Sequence, residues 1–203
     1  MSPRNYQLGA RQDQITLSRG RVVAAARSRL AGTDSYTAFT VDAVARAADV
    51  ARATVYYQFG SKAGLLEALC DDLAEAGRMQ ELSAAFANPD PAGALRDFIT
   101  CFGRFWAADR PVMRRLRALA ALDPDVGAVI TGRDARRRAG LEVLTARLRG
   151  GSAAPEAGRA VALLYAITSF EMFDALAGPD QEIDGVTAAV IQLAAAVLRP
   201  PAS

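Results

Sequence analysis

The sequence predicts an all-α protein with an N-terminal three-helix helix-turn-helix domain followed by a C-terminal helical bundle. No segment alternates apolar and polar residues over any length, and alanine is abundant throughout. Apolar residues instead recur at helical spacing between regular breakers. With 203 residues, of which 51% are apolar and 23% charged, the chain is globular and long enough to bury a core.

Four helices are predicted in the first third of the chain. They cover about 15–32, 41–48 and 52–58, with a longer fourth helix beginning at 62. Thr40 and Ser61 precede the second and fourth helices at the position of an N-cap, where a hydroxyl accepts a hydrogen bond from a free backbone N–H.

Breakers rich in proline, glycine and aspartate then recur at 87–91, 109–111, 122–125, 150–155 and 178–184. The segments between them predict helices over about 91–108, 112–122, 125–149, 156–177 and 185–198. The expected total is nine helices, and no repeat of fixed period is evident.

Composition narrows the function classes. The chain has no histidine, which removes the commonest general base, the serine–histidine and cysteine–histidine pairs and most zinc sites. Cys70 and Cys101 are far apart in apolar helical patterns and are interpreted as reduced core thiols. The N-terminus lacks a secretion signal and the longest apolar run, 160–170, is too short for a bilayer. Carboxylate or tyrosine chemistry remains possible, so the absence of histidine weakens an enzyme interpretation without excluding it. We expect a cytoplasmic protein that is not an enzyme and has no metal site, cofactor or catalytic residues.

The net charge of +2 is unevenly distributed along the chain. Residues 1–62 carry nine Arg or Lys against four Asp or Glu, a net of +5, whereas the remaining residues carry 15 against 18, a net of −3. A basic excess at one end favours a polyanionic partner for that end.

The second and third helices are separated by three residues, which matches a helix-turn-helix. Ala45 is small where the two helices cross, and a shared core is expected from Val41, Val44, Val50 and Val55. The turn also needs a left-handed residue, and an aspartate, Asp49, occupies that position where glycine is easiest. Ala51 is a poor N-cap for the third helix.

Projection at about 100° per residue predicts which side chains of the third helix face outward. Val55 and Phe59 point together toward the core, while Tyr57 and Ala53 point away. Thr54 lies on one flank, and Arg52 and Tyr56 lie on the other. An outward aromatic ring on a short helix can contact bases in a major groove, and Arg52 can reach phosphates or guanine edges.

Lys62, the only lysine, falls in the first turn of the fourth helix. A cation is unfavourable at the positive end of a helix dipole unless an anion is bound at the same place. A DNA phosphate would supply that anion.

Residues 39–66, FTVDAVARAADVARATVYYQFGSKAGLL, resemble the DNA-binding domain of the tetracycline-repressor (TetR) family of transcriptional regulators. The chain keeps the residues of that pattern at Thr40, Ala45, Ala48, Val50, Thr54, Val55, Tyr56, Phe59, Ser61, Lys62 and Leu66. It departs from the pattern at Asp49, Ala51, Gln58 and Gly60, where the family usually has glycine, serine, histidine and proline.

The resemblance implies roles for seven residues. Phosphates would be held by Thr40, Thr54, Tyr56 and Lys62. Base edges would be met by Arg52, Ala53 and Tyr57. For Tyr56, packing of the ring is an equally good alternative.

The resemblance also implies a domain division. Residues 1–14 would form a flexible arm, 15–60 the DNA-binding domain and 61–203 an effector-binding and dimerisation domain. The arm carries Arg4 and Arg11, which could enter a minor groove, although such tails are more often simply disordered.

In TetR-like proteins the last two helices pair with their copies in a second subunit. The helix over 156–177 is apolar almost all round, and the last helix carries one apolar stripe. The interface would then include Val161, Val186, Val190, Leu193 and Val197. A symmetric dimer would place two reading helices about 34–36 Å apart, as a palindromic operator requires.

The resemblance further implies an effector pocket in the bundle, with an aromatic, sparsely polar lining suited to a small hydrophobic or aromatic ligand. Its candidate lining residues are Phe98, Phe102, Phe105, Trp106, Met113, Leu116, Leu144, Tyr165, Thr168, Ser169 and Met172. Further polar anchors are Thr100 and Arg104. For each apolar residue, plain core packing is the alternative. The arginines at 133 and 136–138 are expected on a solvated helix face.

The competing class is an enzyme or a small-molecule carrier housed in a helical bundle. That class would explain an apolar pocket, but it leaves the outward tyrosine, Lys62 and the basic first third unexplained. The sequence therefore favours a DNA-binding regulator, most simply a repressor.

Overall fold

Helices make up almost all of the computed structural model, which describes residues 3–32, 39–150, 155–179 and 182–199. This part of the chain contains eleven α-helices and one 3-10 turn, Met79–Glu81. The helices are α1 (Pro3–Ala31), α2 (Val41–Ala47), α3 (Arg52–Phe59), α4 (Lys62–Ala76), α5 (Leu82–Ala87), α6 (Pro91–Ala107), α7 (Arg110–Ala120), α8 (Pro124–Leu148), α9 (Pro155–Ile167), α10 (Phe170–Ala177) and α11 (Ile183–Leu198). The prediction of an all-α fold is confirmed.

Eleven helices replace the nine expected because two predicted helices are interrupted. The fourth predicted helix ends before Gly77, where an added Cβ would lie 2.6 Å from the Cα of Phe105, and the next residue, Arg78, has a left-handed φ of 58°. The helix predicted over 156–177 breaks after Ile167. There the Ser169 hydroxyl accepts a hydrogen bond from the Met172 N–H at 3.2 Å and starts α10.

The first helix begins at Pro3, so the backbone of most of the expected N-terminal arm lies in α1. Its predicted flexibility and minor-groove contact stay predictions. Residues 33–38, between α1 and α2, lie outside the described part of the chain.

The chain divides into two compact units, the first formed by residues 1–72 and 114–129 and the second by 73–113 and 130–203. The predicted boundary between residues 60 and 61 remains a prediction. In the first unit α1 packs on α2 and α2 on α3, over a core that includes Val22, Ala26 and Val44. The Arg115 guanidinium of α7 donates to the Leu30 carbonyl at the end of α1, at 3.1 Å.

In the second unit α6 packs against α5, α10 and α11, and α11 packs against α9 and α10. Gly103 lets α6 approach α11 closely, since an added Cβ would lie 2.5 Å from the Thr187 hydroxyl. Asp90 caps α6 through hydrogen bonds from the N–H groups of Ala92 and Gly93, at 3.0 and 2.8 Å.

Both cysteines, Cys70 and Cys101, are buried thiols, as predicted.

Among the described residues, no single helix is both long and apolar enough to cross a membrane. The segments 157–167 and 170–177 pass such a test only together, and the pair is bent by 51°.

The N-terminus of α3 provides a test of local stability. Ala51 lies at the N-cap with φ −66° and ψ 144°, and its side chain makes no capping hydrogen bond. We expect Ala51→Ser to raise the free energy of unfolding by about 1 kcal/mol, because the new hydroxyl would accept from a free N–H of the first turn. Thermal unfolding followed by circular dichroism measures the change.

The matched control is Ala53→Ser, at an exposed position inside the same helix. There serine caps nothing and lowers helix propensity by a few tenths of a kcal/mol. Equal shifts for the two variants would contradict the capping explanation.

Candidate DNA-binding site

The turn between α2 and α3 has the geometry that the sequence predicted. Thr40 caps α2 by accepting a hydrogen bond from the Ala43 N–H at 3.2 Å. Asp49 takes the left-handed conformation with φ 52°, and the Val50 N–H donates to the Ala45 carbonyl at 3.0 Å. Ala45 is buried, which allows the two helices to pass closely. The turn therefore fixes the direction in which α3 leaves α2.

The orientation of α3 follows from its two buried residues. Val55 and Phe59 are buried, while Ala53 is exposed and Tyr57 is 81% exposed. Thr54 is half-buried on one flank, and Tyr56 is 39% exposed on the other. The predicted outward direction of Tyr57 and Ala53 is confirmed. A ring this exposed on a short helix is available to contact another molecule.

Arg52 is held beside Tyr56 before any DNA is bound. Its guanidinium donates to the Tyr56 hydroxyl at 3.3 Å, lies 5.4 Å from the ring centroid and pairs with Asp42 at 3.3 Å. The hydrogen bond to Tyr56, with the nearby Asp42 carboxylate, raises the pKa of Arg52, so the group stays charged. These contacts limit the range of directions in which Arg52 can point.

Arg19 and Ser18 of α1 contact the C-terminal end of α3, and neither residue was predicted to do so. The Arg19 guanidinium donates to the Gln58 carbonyl at 2.7 Å and lies 4.3 Å from the centroid of the Phe59 ring. The Gln58 amide donates to the Ser18 hydroxyl at 3.1 Å. These contacts are 39 and 40 residues apart in sequence, so no local pattern could indicate them.

An open cleft of about 340 Å³ lies between α1 and α3. Tyr57 and Thr54 line it from α3, and the exposed Arg21 lines it from α1. Arg21 therefore adds a positive charge to the side of the first unit that carries the predicted DNA contacts.

Lys62 is the first residue of α4, as predicted, and Ser61 caps that helix by accepting from the Gly64 N–H at 3.0 Å. The anion at this helix end is a carboxylate of the same unit, since the Lys62 ammonium forms an ion pair with Asp123. The two side chains are 23% and 26% exposed. The helix dipole predicts an anion at this position, but no residue near Lys62 in the sequence indicates Asp123 as the partner.

Asp123 also starts α8. One carboxylate oxygen accepts from the N–H groups of Asp125 and Val126, at 3.0 and 3.3 Å, and the other meets Lys62. The hydrogen bond from Lys62 lowers the pKa of Asp123 against the opposing effect of partial burial, and the backbone bonds lower it further. The breaker LDPD contained the capping signal, but the long-range partner is visible only in the fold.

In the second unit the predicted aromatic cluster is present along α6. Phe98 and Phe102 have ring centroids 4.7 Å apart, Phe105 and Trp106 are 4.6 Å apart, and Trp106 lies 5.8 Å from Phe170. Among the other predicted pocket residues, Met113 and Leu144 are buried, while Tyr165 and Met172 are half-buried. Leu116 belongs to the first unit. Whether these residues bind a ligand stays a prediction.

Two predicted polar anchors of that pocket are used by the fold itself. Thr168 is buried, its hydroxyl donates to the Leu164 carbonyl at 2.8 Å, and its carbonyl accepts from the Trp106 indole N–H at 3.1 Å. Ser169 caps α10. Both residues stabilise the break between α9 and α10.

The expectation of a solvated arginine face does not hold for Arg137, which is 4% exposed. Its guanidinium donates to the Tyr165 carbonyl at 2.7 Å and to the Thr168 hydroxyl at 2.8 Å, and it lies 4.1 Å from the centroid of the Tyr165 ring. Burial is possible because these groups, together with the Asp134 carboxylate 3.6 Å from the guanidinium, replace the lost hydration of the charge.

Thr100 and Arg104 line an open cleft of about 650 Å³ in the second unit, together with Glu81, Asn88 and Asp97. Arg104 donates to the Glu81 carboxylate at 2.6 Å. The other lining residues are Ala84, Ala85, Ala87 and Cys101, so the cleft combines charged and amide groups with small apolar side chains.

The predicted interface residues separate into two groups. Val186 and Val190 are buried within the second unit, where α11 packs against α6, α9 and α10, and Val161 of α9 is buried there too. Their place in a dimer interface stays a prediction. Leu193 is exposed and Val197 is half-buried. Two exposed leucines that the sequence analysis did not include are Leu163 on α9 and Leu176 on α10.

The lowered pKa of Asp123 predicts a dependence of stability on pH. A carboxyl whose pKa is lower in the folded state than its ordinary value of 3.8 stabilises the fold above that value. The stabilisation is lost as the pH falls through the folded-state pKa. We expect Asp123→Asn to lower the free energy of unfolding by roughly 0.2–1 kcal/mol at neutral pH, since asparagine keeps the cap but not the ion pair.

Urea unfolding of wild type and Asp123→Asn at a series of pH values measures this difference, with Asp125→Asn as the matched control for removal of an acid. A difference that does not shrink in acid would contradict the assignment to the ion pair.

Comparison with known proteins is consistent with this geometry. Residues 22–69 match the family model of bacterial regulatory proteins, tetR family. No protein with a curated description matches the chain in sequence.

Several solved structures share the fold. A transcriptional regulator from Rhodococcus sp. RHA1 is 23% identical, with a TM-score of 0.64 over 89% of this chain and 95% of that one. The fatty acid degradation regulator FadR from Bacillus halodurans is 20% identical, with a TM-score of 0.64 over 90% and 96% of the two chains. FadR from Bacillus subtilis, solved in complex with stearoyl-CoA, is 16% identical, with a TM-score of 0.64 over 88% and 98%.

Residues 22–69 therefore match the N-terminal domain of the tetR family of bacterial regulatory proteins, and the chain as a whole shares its fold with solved transcriptional regulators that include members of that family.

Proposed function

We propose that this chain is a homodimeric repressor that binds a palindromic operator and is released from it by a small hydrophobic or aromatic effector. The observation that carries the DNA-binding part is the exposure of Tyr57 on α3, with Arg52 and Tyr56 on its flank. The proposal assigns no catalytic reaction to the chain.

In this proposal one group of residues contacts bases and sets sequence specificity, and another group contacts phosphates and supplies affinity. Tyr57, Ala53 and Arg52 would meet base edges in the major groove, where the pattern of donors, acceptors and methyl groups identifies the sequence. Thr40, Thr54, Tyr56 and Lys62 would hold phosphates, which position the helix but carry no sequence information. The net charge of +5 over residues 1–62 supports this assignment.

Selection of operator DNA tests the proposal. The wild-type protein is incubated with sheared genomic DNA from its source, and the retained fragments are sequenced. We expect an enriched palindrome whose retention falls steeply with salt, because phosphate contacts release counterions from DNA. Tyr57→Ala should relax the selected sequence, at a cost of about 1–3 kcal/mol per half-site.

Lys62→Ala should instead weaken binding to all sequences alike and reduce the salt slope by about one per subunit. Arg96→Ala, which removes an exposed positive charge from the second unit, is the charge-matched control and should change neither property. A wild-type protein that retains no sequence above background would overturn the DNA-binding function.

A dimer is supported by exposed leucines on three helices of the second unit that contact one another. Leu163 of α9, Leu176 of α10 and Leu193 of α11 are all exposed, and we call them the leucine face. Exposed alanines surround two of these leucines, at positions 162, 166, 189 and 196. Large apolar side chains grouped on a surface mark an interaction site, and small neighbours allow helices to approach closely.

We expect Leu193→Asp to give a monomer, because two copies of the substitution would place unpaired carboxylates in the centre of a symmetric interface. Sedimentation velocity measures the change in mass. Leu17→Asp makes the same substitution at an exposed leucine of α1 and should leave the dimer intact. A dimer that persists in Leu193→Asp would exclude the leucine face as the interface.

An apolar effector is supported by the row of aromatic rings along α6 and by the buried Met113 and Leu144. The FadR structure with stearoyl-CoA is a structural relative that accepts an acyl ligand. In the proposed mechanism the effector favours a conformation in which α4 is displaced, so that the separation of the two reading helices no longer fits the operator.

A further inference from the structure

The acidic partner of Lys62 suggests how operator affinity is limited. We propose that Asp123 competes with DNA phosphate for Lys62, so that the Lys62–Asp123 ion pair is an autoinhibitory contact of the DNA-free protein. This inference rests on the proposed DNA-binding function, in which Lys62 holds a phosphate.

The carboxylate of Asp123 is fixed in place. One of its oxygens accepts two backbone hydrogen bonds from the first turn of α8, at 3.0 and 3.3 Å, while the other faces Lys62. The carboxylate therefore cannot follow the lysine toward DNA without uncapping α8. Lys62 must leave Asp123 to meet a phosphate, or else the phosphate must approach a fixed negative charge.

The solvent exposure of the Lys62–Asp123 pair determines how strongly Asp123 opposes phosphate binding by Lys62. Both side chains are about three-quarters buried, so their attraction is screened less than that of a fully exposed pair. The pair is still open enough to solvent for a phosphate, which brings a full negative charge, to replace the carboxylate. A contact of this kind is expected to tune affinity without abolishing binding.

The second cation of the site offers an internal comparison. Arg52 pairs with Asp42, but those side chains are 59% and 50% exposed. The N-cap of α2 is Thr40, so the Asp42 carboxylate is not fixed by capping in the way that Asp123 is. Water and salt screen such a pair strongly. Competition should therefore be concentrated at Asp123.

Neutralising Asp123 tests the proposal in the full-length protein. The probes are a short mixed-sequence DNA duplex and the operator recovered by genomic selection. Asp123→Asn keeps the N-cap of α8, and Asp123→Ser is a second variant that also caps but carries no charge. Asp125→Asn is the matched control, because it removes an exposed acid two residues away. Circular dichroism checks that each variant is folded.

We expect both Asp123 variants to bind DNA more tightly than Asp125→Asn, by roughly 2-fold to 30-fold for a dimer with two such pairs. The salt slope should also become steeper. In the wild type, salt weakens the ion pair that opposes binding, and this partly offsets its effect on phosphate contacts. In a Lys62→Ala background, Asp123→Asn should act no differently from Asp125→Asn.

The outcomes separate this inference from the proposed function. If the wild type binds DNA and Asp123→Asn matches Asp125→Asn, or binds more weakly, the competition is overturned while the regulator stands. A tightening that persists in the Lys62→Ala background would also overturn it, because the effect would then be general electrostatics. If the wild type binds neither duplex, the DNA-binding function itself fails.

Discussion

The candidate site depends on the burial of Val55 and Phe59. These residues lie four apart on α3, so burying both fixes the rotation of the helix about its axis. Tyr57, halfway between them in sequence, must then point away from the core. The contacts of Arg19 and Ser18 of α1 with Gln58 hold the end of the helix at the same rotation. The outward direction of Tyr57 is thus a consequence of core packing, and a substitution that loosened the core would misdirect the exposed ring.

Much of this first unit could be predicted from the sequence because its signals are local. Thr40, Ser61 and Asp49 act within three or four residues of their own positions, as N-caps and as a left-handed turn. Helical periodicity over eight residues separated the buried side of α3 from the exposed side. The partner of Lys62 could be predicted only in part. The helix dipole indicated an anion near Lys62, but it did not distinguish a DNA phosphate from a carboxylate of the chain.

The second unit was harder to predict because its deciding contacts are distant in sequence. Arg137 belongs to a run of arginines typical of a solvated face, yet Tyr165 and Thr168, 28 and 31 residues away, allow it to be buried. The resemblance assigned the stripe on α11 to the interface with a second subunit, whereas α11 also packs on α6 of the same chain. The break at Thr168–Ser169 had a local signal, two hydroxyl residues inside an apolar helix, and the uniform hydrophobicity around it concealed that signal.

The choice of residue at 123 shows how stability and binding oppose each other in this site. Serine, asparagine and aspartate all cap a helix well, so capping of α8 does not by itself require a carboxylate. Only aspartate also neutralises the cation at the start of α4, where the helix dipole makes an unpaired Lys62 unfavourable. Under the proposed function, the same neutralisation removes part of the positive charge that would attract DNA. If Lys62 holds a phosphate as proposed, an ion pair that stabilises the free protein weakens the complex with DNA, because the backbone bonds that fix Asp123 oppose an arrangement in which Lys62 keeps both partners.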